Sequence, residues 1–125
     1  MAGARGAAAS ALMEALELPG LAQVFDAPVD LLLEPTSVVQ PDLVIVGASH
    51  RHIVTERALE GVPDVVVEIL SPGSLDRDLH LERRLYERFA IPEYWIVDAE
   101  HGFVGVWTST AWRLSSSATA PTASS

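Results

Sequence analysis

Two acids stand where the surrounding residues give an acid a reason to be. Glu68 interrupts the run from Val65 to Leu70, whose β-branched residues suit a strand covered on both faces. An ionised carboxylate held away from water is costly unless it is paired or binds a metal. Strand side chains alternate, so Asp64, Val66, Glu68 and Leu70 share one face while Val65, Val67 and Ile69 share the other. The run stops at Ser71-Pro72-Gly73, because proline offers no ladder N–H and glycine favours a turn. A site built on Glu68 would therefore open at a strand end. The second acid, Asp42, follows Pro41 at the head of another short apolar run; taken alone it reads as a turn acid.

Other residue types carry less. His50 and His52 sit two apart in a polar stretch with no partner at metal-ligand spacing, which favours a surface role over zinc binding. No G-x-S-x-G, phosphate-cradling glycine loop or H-E-x-x-H occurs, so hydrolase triads, P-loop NTPases and zincins have no support.

The elements that must position these acids follow from local pattern. Residues 1–10 read as a flexible lead and Ala11 to Leu18 as a short helix stopped by Pro19-Gly20. In that helix Leu12, Ala15, Leu16 and Leu18 would face the core, and Glu14 and Glu17 the solvent. Ala22 to Phe25 and Val29 to Leu33 predict two strands or one bent strand, and Val38 to Val46 another buried strand around Pro41-Asp42. Gly47 to Pro63 predicts a loop with one helical turn near Thr55 to Leu59. After the central strand, Ser74 can cap a helix that runs to Phe89 or Ala90, with Asp76 and Asp78 in its first turn. Pro92 ends that helix, and Tyr94 to Asp98 is a strand. Phe103 to Thr108 and Ala111 to Leu114 form a terminal hairpin around Ser109-Thr110. Residues 115–125 contain only Ser, Ala, Thr and Pro, which predicts a disordered tail.

This order predicts an α/β (α+β) fold with a mixed central sheet flanked by helices, filling residues 11–114. Val44, Val46, Val66, Val67, Ile69, Trp95, Val97, Leu79 and Tyr86 are expected in one core between sheet and helix. A chain of 125 residues supports one such core. With no cysteine it can form neither a disulfide nor a thiolate zinc site. No run is long enough to span a bilayer and no signal-peptide pattern is present, so a cytoplasmic protein is expected. Its net charge of −9 repels nucleic acid at long range, and all eight basic residues are arginine.

Three blocks, V-V-Q-P-D-L-V-I-V, G-V-P-D-V-V-V-E-I-L-S-P and R-D-L-H-L-E-R-R-L-Y-E-R-F-A-I-P-E-Y-W-I-V-D, together resemble a bacterial family of putative restriction endonucleases. That family is a compact branch of the PD-(D/E)XK nuclease superfamily. The resemblance spans Phe25 to Trp107. It implies a restriction-endonuclease-like fold, Mg²⁺-dependent (or Mn²⁺-dependent) hydrolysis of DNA phosphodiesters, and DNA as partner, with a homodimer compatible. It also implies that Asp42 and Glu68 hold the metal, joined by the main-chain carbonyl of Ile69. Mg²⁺ prefers such oxygen donors.

The same resemblance implies a lysine, either two residues after Glu68, where Leu70 stands, or four residues before Tyr86, where Glu82 stands. The chain has no lysine at all. At about 100° per residue, Leu75, Leu79, Leu81, Leu85, Tyr86 and Phe89 span one arc of the helix. Glu82 and Asp78 fall within it, and Arg77, His80, Arg84, Glu87 and Arg88 lie opposite. Arg83 sits on its edge, a poor substitute, since a guanidinium does not simply replace a compact ammonium. The family's leading segment is also longer than the one here. Asp42 and Glu68 are expected to converge in one shallow cleft with Glu82 at the lysine position. A non-catalytic nuclease-like module for binding or interaction is the alternative reading.

Overall fold

The structure is a computed structural model that describes residues 13–17, 19–70, 79–98, 103–108 and 114–119, together with Gly6, Ser10 and Ala11. Nine strands run in chain order: β1 (Ala22–Asp26), β2 (Leu31–Glu34), β3 (Ser37–Val39), β4 (Leu43–Gly47), β5 (Leu59–Glu60), β6 (Val65–Leu70), β7 (Glu93–Asp98), β8 (Phe103–Thr108) and β9 (Leu114–Thr119). Among the described residues the α-helix, α1, covers Leu79–Arg88. The main sheet has the order β1-β4-β6-β7-β8-β9, and β3-β2-β5 form a second, smaller sheet. Within the main sheet only β6 and β7 are parallel. The α1 connection supplies the crossover that a parallel pair requires. The mixed sheet matches the expectation; the second sheet was not foreseen.

β6 lies at the centre of the main sheet and is buried along Val65 to Ile69. Its alternation creates two hydrophobic clusters rather than the single core expected. On one face Val44, Val46, Val66, Tyr86, Ile91 and Tyr94 join Leu31, Leu33, Ile53 and Leu59, so α1 and the small sheet cover the same side. On the other, Leu43, Ile45, Val65, Val67 and Ile69 join Ala22 and Val24, with Met13, Trp95 and Val97 packed against them. A strand covered on both faces must divide its neighbours in this way, which places Val67, Ile69, Trp95 and Val97 away from the helix.

Several local expectations change. The leading helix is a π-helical turn, Met13–Glu17, with Ala15 exposed. Glu17, expected in solvent, turns inward and accepts the Val24 N–H at 2.7 Å. The apolar run from Val38 to Val46 divides into β3 and β4. The helical turn in the following loop falls earlier, as a 3₁₀ segment at Ala48–Ile53. The second strand of the terminal hairpin starts rather than ends at Leu114. Ser115 to Thr119, expected to be disordered, continue it as β9, whose Thr119 pairs with Phe103. Main-chain ladder bonds need no apolar side chain, which is why composition misled there. Nearly all of the flexible lead, residues 120–125, and the Ser71 to Asp78 stretch with its Ser74 cap, Leu75, Asp76 and Arg77 lie outside the described residues.

Leu81 is 62% exposed, contrary to the helical projection. It sits about 140° from Tyr86, the fully buried centre of the α1 face. Arg84, Glu87 and Arg88 are exposed as expected. α1 ends in a Schellman arrangement, in which Ile91 donates to the Tyr86 carbonyl and Ala90 to that of Glu87. Ala90 has φ +57°, a left-handed conformation that disfavours any side chain. Gly61, with φ +145°, lies so close to Ile53 that a Cβ would come within 2.7 Å of its Cγ2.

Two stability outcomes follow. Ala90→Gly should stabilise the fold by about 0.5–1 kcal/mol in urea unfolding, since the relief of left-handed strain exceeds the entropy glycine adds to the unfolded chain. Leu43→Ala, at a fully buried position of β4, should cost about 2–5 kcal/mol, while Leu81→Ala stays within about 0.5 kcal/mol. Equal losses for the two leucines would contradict the helix orientation.

Candidate active site at the end of the central strand

β4 and β6 are antiparallel, with Leu43 opposite Val67 and Val44 opposite Val66. One rung further, this register sets Asp42 opposite Glu68, and residues opposed in an antiparallel pair project to the same face. That face is the one carrying Val44, Val66 and Tyr86. Asp42 is 5% exposed and Glu68 is 0% exposed.

Each carboxylate has a defined neighbour. Asp42 Oδ2 accepts the main-chain N–H of Ile69 at 2.7 Å, so the side chain prolongs the β4–β6 ladder beyond its last rung. The Tyr86 hydroxyl donates to Glu68 Oε2 at 3.0 Å. The two acids are thus anchored at consecutive residues of β6. Pro41 helps by ending β4 without a ladder donor, and Asp42 itself is tied to the chain before it through Ala27 N–H, which donates to the Asp42 carbonyl.

Tyr86 packs edge-on against Tyr94, with ring centroids 5.0 Å apart. Burial raises the Tyr86 phenol's pKa above the ordinary tyrosine range, with the negative charge of Glu68 and the hydrogen bond to it acting in the same direction. Glu82, four residues before Tyr86 and so on the same helix face, adds to this rise. Glu82 is half-buried, and Leu70 is half-buried at the strand end. Arg83 lies 4.7 Å over the Trp107 ring. Trp107 belongs to β8, two strands from β6.

Sequence reading singles out Asp42 and Glu68 but not the hydrogen-bond partners the structure gives them. Tyr86 had a signal, one helical turn after Glu82 on the projected buried arc. The Asp64 contacts had none. Asp64, at the opposite end of β6, accepts the Gly47 N–H at 2.5 Å and the His50 Nδ1–H at 3.0 Å. His50 therefore fastens the 3₁₀ segment to β6 instead of standing free, while His52 is exposed.

The oxygen-only donor set of Asp42, Glu68 and the Ile69 carbonyl fits a hard divalent cation in chemistry. Among the described residues no three His, Cys, Asp or Glu side chains gather closely enough to hold a metal.

A mixed sheet with a helix across its central strand is an α+β fold, and the β4–β6 register sets Asp42 opposite Glu68 at that strand's end. Residues 3–124 match the model of the Uma2 family, described as "Putative restriction endonuclease", and the chain belongs to that family. Among solved structures, it is similar to a putative nuclease belonging to DUF820 from Anabaena variabilis, with a TM-score of 0.68 at 14% identity. The match covers 91% of this chain and 63% of that one, so this chain spans less than two thirds of that protein's length. Comparison with curated proteins returns no match. No helix among the described residues is long and apolar enough to cross a membrane.

Alkaline titration tests the buried phenol. Of the two tyrosines, Tyr86 should stay protonated while the fold persists, well past the ordinary tyrosine pKa of about 10. The unfolded chain ionises there and the folded one does not. Tyr86's contribution to stability is thus intact below about pH 10 and is lost as pH rises beyond it. A phenolate band from Tyr86 near pH 10 in the folded protein would contradict its placement.

Proposed function

We propose that this chain is a nuclease domain of the PD-(D/E)XK type, built for Mg²⁺-dependent hydrolysis of DNA phosphodiesters, in which an acid at the lysine position suppresses turnover. The observation that carries this reading is that Asp42 accepts the Ile69 N–H while the β4–β6 register sets it opposite Glu68. Mg²⁺ or Mn²⁺ held there would supply Lewis-acid stabilisation of a phosphate oxygen and a more acidic water. Asp42 and Glu68 are the ligating carboxylates, with the Ile69 carbonyl as a further oxygen. The ladder bond to Ile69 orients Asp42, and burial of the surroundings strengthens any charge interaction at the site.

Glu82 opposes the chemistry. It lies half-buried one helical turn before Tyr86, where the expected lysine would attract the phosphodiester and assist a water. A third carboxylate in that place repels the phosphate instead, and the chain's net charge of −9 adds to the repulsion at longer range. These two features favour a second reading, a non-catalytic nuclease-like module that retains the fold for binding or interaction.

Plasmid cleavage and metal titration separate the readings. The native chain should bind Mn²⁺ and cleave little or not at all. Glu82→Lys should raise cleavage by on the order of 10-fold or more, and Glu68→Ala should abolish it and weaken Mn²⁺ binding. Robust native nicking that is lost in Glu68→Ala would overturn the suppression and keep the nuclease reading. Cleavage untouched by Glu68→Ala would remove this site from the chemistry.

A further inference from the structure

The geometry points to Tyr86 as the positioning residue of the Glu68 carboxylate, a role that rests on the metal-site reading above. Glu68 stands in a valine strand with no exposed surface, so bulk solvent does not reach it to fix its orientation. A glutamate has three rotatable side-chain bonds, and a ligand that wanders among rotamers loses affinity through the entropy of ordering it. The Tyr86 hydroxyl, 3.0 Å from Glu68 Oε2, supplies a directional donor inside the core.

Tyr86 is itself held firmly. It is 1% exposed, its ring packs edge-on against Tyr94, and its carbonyl accepts the Ile91 N–H that closes α1. A side chain fixed at both its ring and its main chain is a rigid template for its neighbour. Outer partners of metal ligands act in this way, and their loss weakens metal affinity by about 10–100-fold. The acid at position 82 does not alter this geometry, so the arrangement serves metal binding whether or not the chain turns over.

The test is calorimetric titration with Mn²⁺ alone, on the native chain, Tyr86→Phe and Glu68→Ala. Tyr86→Phe should bind Mn²⁺ about 10–100-fold more weakly while keeping its far-UV circular dichroism and cooperative unfolding, and Glu68→Ala should lose more. Native affinity in Tyr86→Phe, with loss in Glu68→Ala, overturns the positioning role and leaves the metal site standing. No Mn²⁺ binding by the native chain, or full binding by Glu68→Ala, overturns the metal-site reading and this role with it. The unmutated chain gives a second readout should Tyr86→Phe fail to fold. With ¹³C-labelled rings its two tyrosines are separately visible, and saturating Mg²⁺ should shift the Tyr86 Cζ resonance as its acceptor becomes a ligand. An unmoved Tyr86 resonance at saturation overturns the role.

Discussion

A buried carboxylate has few ways to exist, and Glu68 constrains much of this molecule. In a valine strand without solvent, its charge must be met by donors that the fold delivers from elsewhere. Tyr86 is one such donor, and it can arrive only if α1 crosses over β6 with its face turned to centre on that residue. The turn of α1 explains why Leu81 is left outside and Glu82 drawn inward, although leucine is the more apolar. The polar contact and the helix rotation are one arrangement.

The same strand distributes the core. Because β6 is covered on both faces, Val66 and Val67 belong to different clusters, and each face needs its own cover. The helix and the small β3-β2-β5 sheet cover one, and the Met13–Glu17 turn packs beside the other. Asp64 and Asp42 stand at either end of the apolar stretch, and each holds a main-chain N–H from the neighbouring segment. These carboxylate caps finish the ladder where main-chain carbonyls do not. One of the caps then lies beside Glu68, and the structural need for a ladder acceptor places a second acid at the candidate site.

What could be read from the sequence was largely what depends on short-range pattern. The valine run, the P-D pair and the Y-W-I-V-D strand declared a buried sheet and both principal acids, because alternation and burial are written in neighbouring residues. The Tyr86–Glu68 contact spans 18 positions and the Asp42–Ile69 contact 27, so neither is visible without knowing how strands pair. Register also decided against a single core, since alternation along β6 assigns faces but does not say what covers each. β9 escaped because a serine-rich edge strand is held by its main chain, and composition reports on side chains. Helical spacing assigns Glu17 to solvent, yet the strand that follows it offers an N–H within reach.

Whether two buried acids at a strand end form a metal site is most directly settled by diffraction from crystals soaked in Mn²⁺, recorded where manganese scatters anomalously. The account predicts an anomalous peak at coordinating distance from oxygens of both Asp42 and Glu68, with the Tyr86 hydroxyl still on Glu68. A map with no peak between those carboxylates at a saturating soak, or with manganese bound only at other acids, would contradict it.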